Sequence, residues 1–259
     1  MKVALISLNQ AWEDKELNWK SCEKYIDKAY QANVELIIFP EMTLTGFSLN
    51  IEKNSEYRSN SNTLARFKQK SKENKIAIIF GMLVEEDGFF YNKSFFISSH
   101  GVVIGEYAKI HTFSFAGEGE YINSGNKLVV VQYKNINIGM SICYDLRFPE
   151  LFSALGKKSN LIVNIANWPK KRIDHWIALL KSRAIENQVY VAGINRVGAD
   201  GNQLKYVESS LIFDANGDLV KSQSADEKMT IYKIDGEKQK EYRKGFPTIK
   251  DRRVELYKD

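Results

Sequence analysis

Three residues of this chain stand where an apolar run gives way to a polar turn, and their types together could perform acyl transfer. Cys143 ends the run Asn137-Ile138-Gly139-Met140-Ser141-Ile142 and precedes Tyr144-Asp145-Leu146-Arg147-Phe148-Pro149-Glu150. Glu41 follows Leu36-Ile37-Ile38-Phe39-Pro40, and Lys109 follows Gly105-Glu106-Tyr107-Ala108. A side chain at the carboxyl end of a buried strand points into the crevice where α/β proteins bind ligands. A cysteine there serves as a nucleophile when a base lies within reach. A thiol, a carboxylate and an ammonium at three such ends describe a hydrolase built on Cys, Glu and Lys.

The elements that must position these groups follow from periodicity and breakers. Val3 to Leu8, Glu35 to Phe39, Ile76 to Val84 and Leu161 to Ala166 read as strands. So do Leu128 to Tyr133, Ile136 to Cys143, Tyr190 to Asn195 and Met229 to Ile234. Tyr91 to Ser98 and Val102 to Tyr107 form an antiparallel pair around Ser99-His100-Gly101, and Ser209 to Phe213 pairs with Leu219 to Lys221 across Asp214-Ala215-Asn216-Gly217. Helical spacing covers Trp19 to Asn33, Asn62 to Asn74, Pro149 to Leu155 and Ile173 to Asn187, and a short helix follows the last strand. The stretch from His111 to Asn126 has no period, but Phe113, Phe115, Tyr121 and Ile122 give it the apolar content of an ordered, functional loop.

Strand-helix-strand units alternate with hairpins, and the two halves look alike. That pattern predicts an α/β fold: a four-layer α-β-β-α sandwich of two mixed sheets with outer helices. No linker composition interrupts residues 1–259, so one domain is expected, with a C-terminal tail over about 242–259. Phe246, Val254, Leu256 and Tyr257 give that tail apolar groups to pack on its own domain or on a partner subunit.

Composition excludes several classes. Apolar residues at 44% and aromatics at 12% supply a sizeable core, which argues against disorder. The net charge of +5 is scattered among acids, without a basic stripe interleaved with aromatics, so no nucleic-acid partner is expected. Two cysteines cannot make a disulfide framework, and Cys22 falls on a helical face as a small packing residue. Met1-Lys2-Val3-Ala4-Leu5-Ile6 reads directly into a strand rather than a signal peptide. No apolar run approaches the roughly 18 residues of a membrane span, so no membrane partner is expected, and the expected compartment is the cytoplasm. His100, His111 and His175 show no metal-ligand spacing with Cys, Asp or Glu; neither metal nor cofactor is expected. Gly-x-Ser-x-Gly and the glycine-rich phosphate loops are absent.

Phe39-Pro40-Glu41-Met42 with Thr45-Gly46-Phe47, Lys109-Ile110-His111, and Ile142-Cys143-Tyr144-Asp145-Leu146-Arg147-Phe148-Pro149-Glu150 resemble, in order and spacing, the motifs of the nitrilase superfamily of carbon-nitrogen hydrolases. Asn167-Trp168-Pro169, Arg183-Ala184-Ile185-Glu186-Asn187 and Tyr242-Arg243-Lys244-Gly245-Phe246-Pro247 resemble its ω-amidase branch. The resemblance implies Glu41 as general base, Lys109 as electrostatic stabiliser, Cys143 as nucleophile and the Tyr144 backbone N–H as an oxyanion donor. Glu118 corresponds to the family's second glutamate, with Glu120 as the alternative. Arg147 is open between holding a substrate carboxylate and pairing with Asp145 or Glu150. Trp168 and Phe115 either line the pocket or only pack.

The implied chemistry suits a carboxamide, a poor electrophile with a poor leaving group. A free thiol with pKa about 8.5 is only a few per cent thiolate near neutrality. A buried glutamate that takes the thiol proton can hand it to the departing nitrogen. The resemblance therefore implies hydrolysis of small 2-oxo dicarboxylic acid monoamides, such as 2-oxoglutaramate and 2-oxosuccinamate, through a thioester, by a homodimer or larger homo-oligomer. The alternatives are another small-amide or N-carbamoyl amidase, a nitrilase, or a non-catalytic binding module on the same fold.

Overall fold

Residues 1–226 and 228–256 are described by a computed structural model. In chain order the first half comprises β1 (Lys2–Ile6), α1 (Lys15–Gln31), β2 (Leu36–Ile38), α2 (Ile51–Asn54), β3 (Glu56–Tyr57), α3 (Asn62–Asn74), β4 (Ala77–Glu86), β5 (Phe89–Ile97) and β6 (Val103–Ala108). A long segment carrying α4 (Glu118–Tyr121) leads to β7 (Val130–Tyr133), β8 (Ile136–Ile142), α5 (Pro149–Gly156), β9 (Leu161–Ala166), α6 (Ile173–Asn187) and β10 (Tyr190–Asn195). Then come β11 (Gly198–Ala199), β12 (Lys205–Tyr206), β13 (Leu211–Phe213), β14 (Ser224–Asp226), β15 (Met229–Lys233) and α7 (Gly236–Gly245).

Two mixed sheets result. The first runs β14-β15-β1-β2-β4-β5-β6, with β3 beside β4; the second runs β13-β10-β9-β8-β7. Each is built on three parallel strands joined by crossovers: β1, β2 and β4 in one, β8, β9 and β10 in the other. Hairpins extend these centres, which is why the sequence mixes both kinds of connection. Along β1 the side chains alternate between two apolar layers. Val3 and Leu5 face the other sheet, meeting Ile138, Met140 and Ile142. Ala4 and Ile6 face α1 and α3, meeting Ile26 and Phe67. On the far side α5 and α6 bury Phe152, Leu155, Trp176 and Leu180 against Ile162 and Val191. Three apolar interfaces thus separate four layers, helices outside and sheets inside.

Several boundaries differ from the sequence reading, each for a local reason. α1 begins at Lys15 because Asp14 caps it, accepting the Leu17 N–H at 2.9 Å, although its apolar face starts only at Trp19. The Asp214–Gly217 turn forms as expected, but Leu219 keeps only an isolated bridge to Phe213, and Leu219 to Lys221 make no strand. The tail is held to its own α5–α6 layer. Arg243 donates to the carbonyls of Gly156, Asn187 and Gln188, and Arg252 to Ser153 Oγ and the Glu186 carbonyl. Phe246 and Leu256 remain exposed, and Tyr257 lies outside the described residues. Among the described residues no helix is long and apolar enough to cross a membrane.

Candidate active site

The strand ends converge as the sequence suggests. Glu41 lies just beyond β2, Lys109 directly after β6 and Cys143 directly after β8. Pro40 stops β2, and the chain then turns sharply back, with Met42 in the left-handed region at φ 45°. The turn lies flat on β4 because residue 81 is glycine; a Cβ there would stand 2.8 Å from Met42 N. Gln10 Nε2 donates to the carbonyls of Glu41, Met42 and Thr43 at 2.9–3.2 Å, and Asn167 Nδ2 donates to the Glu41 carbonyl at 2.8 Å. These bonds fix the base of the Glu41 side chain.

Lys109 and both glutamates are fully enclosed. Lys109 Nζ donates to Glu118 Oε2 at 2.8 Å and Oε1 at 3.1 Å, and to Glu41 Oε1 at 3.2 Å. Asn92 Nδ2 bridges the same two carboxylates, donating to Glu41 Oε1 at 2.7 Å and Glu118 Oε1 at 3.1 Å. Glu41 Oε2 accepts the Asn167 N–H at 2.9 Å, and Glu118 Oε2 accepts the Phe113 N–H at 2.5 Å. Glu118 therefore occupies the place for which Glu120 was the alternative; Glu120 is exposed. Burial alone would lower the Lys109 ammonium, but the charges of Glu41 and Glu118 outweigh it and hold it above its ordinary value.

Cys143 opens a short 3₁₀ turn over Cys143–Arg147 and carries φ 45°. A non-glycine residue in that region is strained, and the strain is tolerated only where the surroundings enforce it. Here the enforcement comes from Asp145, buried without exposure. Its Oδ2 accepts the Ile142 N–H at 2.9 Å and the Tyr107 hydroxyl at 2.7 Å, and its Oδ1 accepts the His111 N–H at 3.0 Å and faces His111 Nδ1 at 2.8 Å. One carboxylate thus ties the Cys143 turn to the chain on both sides of Lys109. Burial raises the thiol of Cys143, the Glu41 carboxylate raises it further, and the Lys109 ammonium offsets this only in part. Burial and the neighbouring Glu41 carboxylate thus both favour the thiol over the thiolate.

Cys143 and Lys109 line a cavity of about 340 Å³ together with Asn167 and the aromatic side chains of Trp12, Phe47, Phe113, Tyr144, Trp168 and Tyr206. Of the other sequence expectations, Tyr144, Trp168 and Arg147 line it and Phe115 does not. Phe115 sits on a 3₁₀ turn over Ser114–Ala116 that swings its ring outward, leaving it 85% exposed, and Phe113 lines the cavity instead. Arg147 pairs with neither Asp145, whose oxygens are taken, nor Glu150; its guanidinium stacks 4.9 Å from the Trp168 ring. Sequence reasoning passed over Gln10, Asn92 and Arg172 and met Asp145 only as a possible partner of Arg147; the contacts of all four span the fold. Among the described residues no group of His, Cys, Asp and Glu has the arrangement of a metal site.

A family model for carbon-nitrogen hydrolases matches residues 2–244. The chain is 32% identical over 255 residues to an omega-amidase of Yersinia enterocolitica, covering 97% of this chain and 96% of that one. It is 30% identical over 243 residues to a 2-oxoglutaramate amidase of Bacillus subtilis, with 93% of each chain covered. A solved CN-hydrolase superfamily structure from Xanthomonas campestris, with an arsenic adduct in its active site, has a TM-score of 0.87 at 28% identity over 97% of both chains.

Proposed function

The chain belongs to the carbon-nitrogen hydrolase family, and from that premise we propose that it hydrolyses the terminal carboxamide of small 2-oxo dicarboxylic acid monoamides, 2-oxoglutaramate and 2-oxosuccinamate, through a Cys143 thioester. The observation that carries this reading is the cavity itself. It brings the Cys143 thiol and the Lys109 ammonium into one small, aromatic-walled space with the guanidinium of Arg147, which faces His175 Nδ1 at 3.4 Å and has no carboxylate partner among the described residues. Such a space suits an amide at one end and a carboxylate at the other. The names of the relatives, omega-amidase and 2-oxoglutaramate amidase, point to the same chemistry.

The mechanism proceeds from the resting thiol. As Sγ attacks the amide carbon, Glu41 takes the thiol proton, so the charge of the enclosed groups does not grow. The carbonyl oxygen becomes an oxyanion beside the Lys109 ammonium and the Tyr144 backbone N–H. Collapse of the tetrahedral species breaks the C–N bond while Glu41 returns its proton to nitrogen, and ammonia leaves. Water then attacks the thioester carbon, giving its proton to Glu41. The second tetrahedral species expels sulfur, which recovers the proton, and the acid departs. Glu118 holds Lys109 with both of its oxygens.

A panel of amides assayed in the presence of chelator tests the reading. Ammonia release should be fastest with 2-oxoglutaramate or 2-oxosuccinamate. Turnover confined to N-carbamoyl compounds or nitriles overturns the substrate, and loss of activity to the chelator overturns the mechanism. Asp145 enters as a positioning residue. Asp145→Asn puts an amide NH2 where either the Ile142 N–H or His111 needs an acceptor. The variant is expected to lose at least about tenfold in kcat with KM changed less than threefold, since displacement of a nucleophile by a fraction of an ångström slows chemistry more than binding. Equal changes in kcat and KM would show that Asp145 only supports the fold.

A further inference from the structure

The basic run Lys170-Lys171-Arg172 divides in the fold. Lys170 and Lys171 do not line the cavity; Arg172 does, from the residue that precedes α6. Its guanidinium lies 5.7 Å from the Phe113 ring, and its carbonyl accepts the Trp168 Nε1–H at 2.7 Å. Arg147 stacks on that same Trp168. Two guanidinium groups are therefore placed at one cavity by aromatic faces, and among the described residues neither has a carboxylate partner. Stacking orients a guanidinium without using its in-plane N–H donors, and of these Arg147 turns Nη2 toward His175 Nδ1 at 3.4 Å. The carboxylate that also lines this cavity, Asp200, is engaged by the N–H groups of Asn202 and Leu204 and by the Tyr206 hydroxyl, so the two guanidinium groups keep charge to offer an anion.

We infer that Arg172 is a specificity-determining residue, which with Arg147 forms a two-guanidinium wall that reads the carboxylate end of the substrate and favours ω-amides of dicarboxylic acids over neutral amides of the same length. The inference rests on the proposed amidase reading and adds Arg172 to it. Because the amide end is handled by Cys143, Glu41 and Lys109, the wall distinguishes substrates only by what lies at the other end.

The test compares kcat/KM for succinamate with that for butanamide, which replaces the carboxylate by a methyl group, on one preparation of each enzyme. In Arg172→Met the ratio is expected to fall ten- to a hundredfold, the range for loss of a charge-assisted bond. Arg172→Lys keeps the charge without the fork and should lose about threefold; it also reads the ratio should the Met variant fail to fold. A ratio that stays at the wild-type value in both variants, or that is unmoved while both substrates slow together, makes Arg172 a staple for the Phe113 loop and overturns the inference. If the wild-type enzyme itself shows no preference for succinamate, the proposed function fails instead, and the two failures are told apart by that control.

Discussion

Cys143→Ala is expected to reduce hydrolysis by at least about 10⁴-fold while leaving the melting temperature within a few degrees of the parent. The size of the loss follows from the proposed covalent route: without sulfur there is no thioester, and residual turnover must come from water in a site shaped for a different nucleophile. The small effect on folding follows from local geometry. The sulfur borders the cavity, so its removal enlarges an existing space rather than opening a void in the core. Its polar contact to the Asn167 carbonyl is long at 3.9 Å. Alanine meets the same strain at φ 45° as cysteine does, so the backbone has no new reason to move. Mass spectrometry of quenched reactions supplies the companion measurement. The parent enzyme should carry an acyl adduct on Cys143 that the variant lacks. Turnover by the variant within tenfold of the parent would sink the nucleophile assignment.

What could be read in the sequence, and what could not, divides along the range of the interactions. Glu41, Lys109 and Cys143 were legible because each is placed by its own strand, and a strand end is a local signal of apolar run and breaker. The four layers were legible for the same reason: the alternation of Val3 and Leu5 with Ala4 and Ile6 is written in adjacent residues. Asp145 was visible only as a neighbour of Arg147, whereas its actual partners, Tyr107 and His111, lie 38 and 34 positions away. Asn92 and Gln10 left no local mark at all, since each reaches Glu41 only after the first sheet has formed. The loop after Lys109 shows the limit most clearly. Phe113 and Phe115 are equivalent in composition, and only the turn between them decides which ring faces the cavity. Glu118 and Glu120 differ likewise by which one the single turn of α4 directs at Lys109.

Lys109→Met is expected to cost about 3–5 kcal/mol of stability and at least about 10³-fold in kcat/KM. Methionine matches the unbranched stem of lysine, so the change is one of charge rather than volume. Lys109 is completely enclosed, and no solvent screens the loss of its ammonium. Removing one partner of a buried ion pair leaves an uncompensated buried charge. Here two carboxylates lose the same partner, and Asn92 alone continues to bridge them. Their mutual repulsion would draw Glu41 away from Cys143 as well as remove the ammonium from the oxyanion, so the loss should exceed the hundredfold typical of one missing donor. The pH dependence gives a further check on the parent enzyme. The Lys109 ammonium is held above its ordinary value of 10.5, so the stability it contributes is fully present below that value and is lost only as pH rises beyond it. Between roughly pH 5 and 9 neither stability nor rate should therefore titrate with Lys109. A thermal melt and steady-state kinetics decide the matter. A variant that melts with the parent, or keeps more than a tenth of its activity, would mean that Glu41 and Glu118 do not depend on Lys109 for their charge balance, and the route proposed for the thiol proton would fall with it.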